Sequence, residues 1–298
     1  MRFFRYFLIV LLYFLFSVSY GKVKICTTTS LIQNLVSEIG GDFVEIENLM
    51  GPGVDPHLYK ATATDVNKLR SADLIFYNGL HLEGRMVDIF LGLAEQGKRA
   101  FAVTEGIEKE LLISLGENAG YDPHVWFDPR LWAQCGRKVL SELKKFDAQN
   151  GDFYQRKADD YIASLEKLYE WGKGYGASLP AGTRILITSH DAYNYFGRAF
   201  DFQVIGVQGI STVSEAGLAD IVSTIDFIKT RKIKAIFIES SVSPAAIERI
   251  GKDSGAKIGG KLFSDSLGKP GEIQDSYDVG NYIGMFKYNM TTIVENLK

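Results

Sequence analysis

Three histidines and one aspartate, far apart along the chain, carry the side-chain chemistry of a transition-metal site. His57 follows Asp55-Pro56, His124 follows Asp122-Pro123, His190 follows Thr188-Ser189, and Asp265 lies in Phe263-Ser264-Asp265-Ser266. Imidazole is the commonest protein ligand for first-row divalent ions, and a carboxylate adds charge neutralisation. Three histidines and one aspartate together make a closed four-residue site. A solitary loop histidine is more often solvated or hydrogen-bonded to backbone than a ligand, so residue type alone decides little. Placement decides more. In the two Asp-Pro-His runs the proline forces the preceding residue into extended geometry, which fixes the approach to each histidine.

The elements that must position these groups alternate between strands and helices. Strand patterns cover Val23–Thr28, Val44–Met50, Leu74–Tyr77 and Ala100–Val103, with helical patterns at Asp65–Arg70 and Met86–Glu95. Thr29 or Ser30 can cap a helix after the first strand, and Gly40 can end it. The plan recurs in the second half. Strands fall at Arg184–Thr188, Val204–Val207 and Ala235–Ile238, and a fourth ends near Phe263. Helices fall at Ala192–Phe200, Leu218–Thr230 and Pro244–Lys252, and a last one runs from about Tyr277 to Asn296. Such alternation predicts parallel sheets covered by helices on both faces. Open parallel sheets bind ligands beyond the carboxyl ends of their strands. His57, His124, His190 and Asp265 all map to such ends.

Between the halves, Tyr154, Ala158, Tyr161, Leu165, Leu168 and Gly172 recur at helical spacing. A helix from about Asp152 to Tyr175 would run roughly 35 Å. The expected fold is therefore α/β: two lobes, each a four-stranded mainly parallel sheet flanked by helices, joined by one long rigid helix. The expected boundaries are a signal peptide at 1–21, a first lobe at 22–150, the spine at 151–177 and a second lobe at 178–298. A proline-free spine predicts a small closing motion, with local rearrangement confined to the loops of Asp265 and His190.

Composition agrees with a globular, exported chain. Of 298 residues, 46% are hydrophobic and 23% charged, enough for a sizeable core, and the net charge of -3 excludes the basic footprint of a nucleic-acid binder. Arg2 and Arg5 precede an apolar run from Tyr6 to Val18, and Ser19-Tyr20-Gly21 follows, the layout of a cleavable secretory signal. Cys26 and Cys135 are too few for a disulfide framework, although export would permit one bridge. Lys22-Val23-Lys24-Ile25 before Cys26 is not the small-residue sequence that lipidation requires.

Longer runs carry a resemblance. Gly51-Pro52-Gly53-Val54-Asp55-Pro56-His57, Ala72-Asp73-Leu74-Ile75-Phe76-Tyr77-Asn78-Gly79, Asp122-Pro123-His124-Val125-Trp126-Phe127-Asp128-Pro129 and Ser189-His190-Asp191-Ala192-Tyr193-Asn194-Tyr195-Phe196 resemble the solute-binding proteins of zinc/manganese ABC importers. Ile238-Glu239-Ser240-Ser241 and Leu262-Phe263-Ser264-Asp265-Ser266 complete the set, in order, across essentially the whole mature chain. The resemblance implies that His57, His124, His190 and Asp265 hold one divalent ion, Zn or Mn, as transported ligand. It also implies a periplasmic monomer that delivers the ion to a permease with its ATPase. His190 stands where some manganese-specialised relatives carry Glu, which tilts the site toward zinc. The segment from Lys60 to Ala72 lacks the His-rich loop of many zinc-dedicated relatives, which tilts it back. His81 falls where the family has no ligand and reads as a surface residue near the cleft. Glu239 reads as a carboxylate that orients a ligand, or as one that caps the helix after Ser243-Pro244.

Two other classes compete. A zinc-dependent hydrolase would leave one metal position open and need a base nearby, for which Asp128 or Glu239 would have to serve. No His-Glu-x-x-His, Gly-x-Ser-x-Gly or Walker motif is present in the sequence. A surface adhesin is the other alternative.

Overall fold

The computed structural model describes residues 21–117 and 119–298. The expected export signal, except for Gly21, lies outside the described residues. The first sheet has the order β2-β1-β3-β4 and is parallel throughout, built from β1 (Val23–Thr29), β2 (Val44–Met50), β3 (Leu74–Tyr77) and β4 (Arg99–Ala102). Helices α1 (Ser30–Gly40), α2 (Ala63–Ser71) and α3 (Val87–Glu95) join the strands. The near-continuous apolar character of β1 and β3 follows from burial on both faces. Ile25, Leu74 and Phe76 pack on the side of α1, while Cys26 and Ile75 pack with Leu69, Phe90 and Leu93 of α2 and α3. Thr29 caps α1 by accepting a hydrogen bond from Ile32 N, and Gly41, at φ 53°, ends it.

Helix α4 (Pro129–Phe146) follows, and then the 26-residue α5 (Gly151–Gly176), about 39 Å long at 1.5 Å per residue. The side chains that mark the sequence periodicity of α5 are the buried ones: Tyr154, Ala158, Tyr161, Leu165 and Leu168. They belong to one apolar cluster that holds Ile25 and Phe76 of the first half as well as Leu186 and Phe237 of the second. Each large apolar side chain so buried contributes roughly 1.5–3 kcal/mol, and here it ties the spine to both lobes.

The second lobe contains β5 (Ile185–His190), α6 (Asn194–Phe200), β6 (Gln203–Gln208), α7 (Leu218–Arg231), β7 (Ala235–Glu239), α8 (Ala245–Ser254) and β8 (Lys257–Leu262). Its four strands form two parallel ladders, β5–β6 and β7–β8, with β5 packed beside β7. The β7–β8 register shifts at Ile236/Phe237, opposite Gly259 and Gly260. A Cβ on Gly259 would stand 2.7 Å from the Phe237 ring, so the bulge depends on glycine there.

The last helix, α9 (Tyr282–Leu297), starts five residues later than the apolar pattern implies. Tyr277 and Asp278 instead form β10, which pairs antiparallel with β9 (Ile273–Gln274). Asp275 and Ser276 between them have φ of 46° and 72°, the left-handed pair that closes a two-residue hairpin. The helix begins only where Asn281 can cap it, accepting from Gly284 N. Among the described residues no helix is long and apolar enough to cross a membrane.

Both thiols are free and fully buried, Cys26 and Cys135 lying in different apolar clusters. Burial, with Glu47 nearby, pushes the Cys26 thiol up to about 12, and burial also raises Cys135. Neither thiol should react with a disulfide reagent at pH 8 in the native protein, whereas both should react in guanidinium. Rapid labelling of the folded protein would contradict this burial.

Candidate metal centre

The four ligand-type residues converge on one buried point. One ligand atom from each of His57, His124, His190 and Asp265 lies within 4.8 Å of the other three. His190 is the last residue of β5, His57 lies in the loop after β2, His124 opens a short 3-10 turn before α4, and Asp265 follows β8. The turn after His190 is possible because β6 carries Gly206 beneath it: a Cβ there would stand 2.4 Å from Asp191 N.

Three of the six separations are close to those around a small tetrahedral ion. His57 Nε2 is 3.4 Å from His124 Nε2, His190 Nε2 is 3.4 Å from Asp265 Oδ2, and His124 Nε2 is 3.7 Å from Asp265 Oδ1. A tetrahedron with bonds of about 2.1 Å has edges of about 3.4 Å. Two of the inward atoms, His190 Nε2 and Asp265 Oδ1, are buried without a hydrogen-bond partner among the described residues. Such orphaned groups are costly and rare unless something satisfies them. Here an ion at the point of convergence would do so, and the arrangement could hold one.

Carboxylates behind two of the rings set their orientation. Asp122 Oδ1 is 2.7 Å from His124 Nδ1, and Glu239 Oε2 is 2.5 Å from His190 Nδ1. A proton on each Nδ1 donates to the carboxylate and leaves the Nε2 lone pair facing the cluster. Glu239 Oε1 also accepts from His190 N at 2.8 Å, so it braces ring and backbone together. It caps no helix: α8 begins six residues later, without a side-chain cap. Among the described residues no carboxylate is hydrogen-bonded to the His57 ring. Asp55 accepts from His57 N instead, at 2.8 Å.

Electrostatics follow this arrangement. Burial lowers His57 to about 4, so that ring is neutral at physiological pH. Burial also opposes charge on His190, but Glu239 and Asp265 outweigh it and raise its pKa well above the imidazole range. Burial disfavours an ionised Asp265, yet His190, then His124 and His57, hold its carboxyl well below the usual carboxylate range.

The other residues singled out from sequence lie elsewhere. His81 is exposed, at φ 63°, outside the cluster. Asp128 caps α4, accepting from Arg130 N at 3.0 Å and pairing with the Arg130 guanidinium at 2.7 Å. A carboxylate so engaged is not a free base for hydrolysis. Several supporting groups were not singled out. Trp126 Nε1 donates to Ser264 O at 2.9 Å, joining the His124 turn to the Asp265 loop, and Tyr195 donates to Asp122 O at 2.9 Å. The Asp-Pro-His runs did hold one readable signal: in both, the aspartate accepts the backbone N–H two residues on, an Asx turn.

The proteins this chain is similar to are named as metal binders. Residues 25–296 match the family described as zinc-uptake complex component A, periplasmic (ZnuA). The manganese-binding lipoprotein MntA of Bacillus subtilis is 42% identical over 282 residues, 93% of this chain and 90% of that protein. The zinc-binding protein TroA of Treponema pallidum is 43% identical over 284 residues, covering 93% and 89%. The solved structure of periplasmic zinc-binding TroA superposes with a TM-score of 0.88 at 41% identity, covering 93% of this chain and 99% of that one. A manganese-bound periplasmic metal-binding protein from Candidatus Liberibacter asiaticus superposes with a TM-score of 0.81 at 26% identity, covering 93% and 100%. With the family match spanning nearly the whole chain, the protein is a member of the ZnuA family of periplasmic zinc-uptake components.

Proposed function

We propose that this protein captures one divalent cation, zinc or manganese, in the periplasm and delivers it to an ABC permease and its ATPase. His57, His124, His190 and Asp265 are the ligands and Glu239 orients His190. In this reading residues 22–150 and 178–298 act as the lobes, 151–177 is the spine, and the protein works as a monomer after cleavage of the signal at 1–21. The observation that carries the reading is the convergence of the four side chains on one buried point, with two inward atoms, His190 Nε2 and Asp265 Oδ1, that have no hydrogen-bond partner among the described residues. Four protein ligands leave no open position for a catalytic water, so the site suits capture and release rather than hydrolysis. MntA and the relatives called PsaA are named lipoproteins. Cys26 is unsuited to carry such an anchor, since it lies fully buried within β1, paired with Glu47 of β2.

Equilibrium titration tests the reading. Zinc should bind with one ion per chain and more tightly than manganese, because three nitrogens favour the later metal. The pH dependence has a definite sign. In the metal-free protein Glu239 and Asp265 favour a proton on His190, which the ion must displace. Apparent affinity should therefore rise with pH across the neutral range. His57, lowered to about 4, should add proton competition only in stronger acid. A zinc affinity flat between pH 8 and pH 5 would refute imidazole ligation.

A further inference from the structure

The four presumed ligands are not held equally. His124 and its turn are fastened by Asp122 to the ring, Tyr195 to Asp122 O, Asn78 to Pro123 O at 3.1 Å, and Trp126 to Ser264 O. His190 ends a fully buried strand and donates two hydrogen bonds to Glu239, from its backbone N–H and from Nδ1. The Asp265 loop is clamped by Asn289, which bonds both Phe263 N and Phe263 O, and by Tyr193 on the same carbonyl at 3.0 Å. Both loops, where sequence reasoning expects local rearrangement, are tied by several hydrogen bonds in this structure.

His57 differs. Among the described residues no carboxylate is hydrogen-bonded to its ring, and it alone of the four retains some exposure, 4% against 0%. The next residue, Leu58, is 43% exposed, which puts His57 at the mouth. Its backbone N–H goes to Asp55 Oδ1, and the other oxygen, Asp55 Oδ2, accepts from the Thr212 hydroxyl at 2.6 Å. Thr212 is buried between exposed Ser211 and exposed Val213, in the loop at 209–217 that follows β6. Among the described residues its hydroxyl makes the one hydrogen bond from that loop to the first half of the chain.

We propose that Thr212 is the positioning residue of a latch, in which the loop 209–217 closes over His57 and Asp55 couples its seat to the His57 backbone. This rests on the metal-capture reading above. When Thr212 lets go, Asp55 loses one of its two partners and the turn that aims His57 relaxes. Among the described residues the imidazole itself has only the 3.4 Å contact of its Nε2 with His124 Nε2, inside the cluster. His57 then leaves the ion first, while His124, His190 and Asp265 keep hold of it as a three-ligand intermediate open toward the mouth. The same sequence in reverse admits the ion.

The test is the rate at which zinc passes from the loaded protein to excess chelator in a stopped-flow instrument, for wild type, Thr212→Val and Thr212→Ser. Valine keeps the shape and removes the hydroxyl; serine keeps the hydroxyl. Loss of one hydrogen bond to a carboxylate should speed dissociation about tenfold in Thr212→Val. Association should be little changed, and Thr212→Ser should return to within about twofold of wild type. The metal-free melting temperature of Thr212→Val should lie slightly below that of wild type and Thr212→Ser, since the same bond is lost there, so the rates are compared at a temperature where all three are folded. Wild-type dissociation from Thr212→Val would overturn the latch, and so would equally fast release from the serine variant. Failure of the wild-type protein to take up zinc one to one would instead refute the capture reading, and the latch with it.

Discussion

Zinc affinity should fall about a thousandfold when Asp265 is replaced by alanine. Asp265 is the single anionic member of the cluster, and its two oxygens face His124 Nε2 and His190 Nε2 from one side. Removing it takes away a bond to the ion and the charge that offsets the ion in a fully buried setting. Truncating one partner of a buried charged contact costs about 4 kcal/mol, or roughly three decades in affinity. Asp265→Asn keeps the shape but not the charge and should lose most of the same amount. His124→Ala and His190→Ala should approach it as well. Glu239→Gln, which disturbs only the orientation and basicity of His190, should cost about 10- to 100-fold. His81→Ala should match wild type. Without metal, Asp265→Ala should still fold: it removes Oδ1, which has no partner among the described residues, and Oδ2, which accepts from Ser241 at 3.5 Å and faces His190, while Glu239 remains as the carboxylate on the His190 ring. Competition against a chelator of known affinity measures all of these. An Asp265→Ala protein within tenfold of wild type would remove that residue from the ligand set.

Much of this site is legible in the sequence because its logic is local. A strand read from Val and Ile content has a carboxyl end, and a histidine just beyond it has few places to be. His190 illustrates this: the apolar run from Arg184 predicts the strand, and the histidine proves to be its last residue. What sequence does not reveal depends on distant partners. Thr212 and Asp55 are 157 residues apart, and neither has a local pattern that announces the other. Glu239 is legible as a carboxylate beside the cleft, but its two bonds to His190 depend on β5 packing beside β7. The hairpin before α9 is missed for a different reason. Asp275-Ser276 adopts left-handed geometry without the Asn-Gly or Asp-Gly pair that signals it, so Tyr277 and Asp278 after it read as the start of the helix.

Loading with zinc should raise the melting temperature substantially and leave the overall dimensions unchanged. The first half of the chain supplies His57 and His124, and the second supplies His190 and Asp265, so an ion among them stabilises the folded arrangement of both. At a free concentration of about 1,000 times the dissociation constant the stabilisation is about 4 kcal/mol. For a protein of this size, at roughly 2–4 °C per kcal/mol, that corresponds to a rise of about 8–16 °C, reversed by a chelator. The lobes themselves should hardly move. Helix α5 contains no proline, and its buried face belongs to an apolar cluster continuous through both halves. Polar ties cross between the halves as well: Tyr282 to Trp126 O at 2.6 Å, Leu267 N to Ser30 Oγ at 2.9 Å, and Trp126 to Ser264 O. A wide hinge opening would expose that cluster and strand these groups without partners, each at a cost of about 1–3 kcal/mol. Local release at His57 breaks few of them. Small-angle scattering with and without zinc should therefore give the same radius of gyration while the melting temperature rises. A marked compaction on binding would show that α5 bends, and that capture proceeds by closing the lobes around the ion rather than by closing one loop over it.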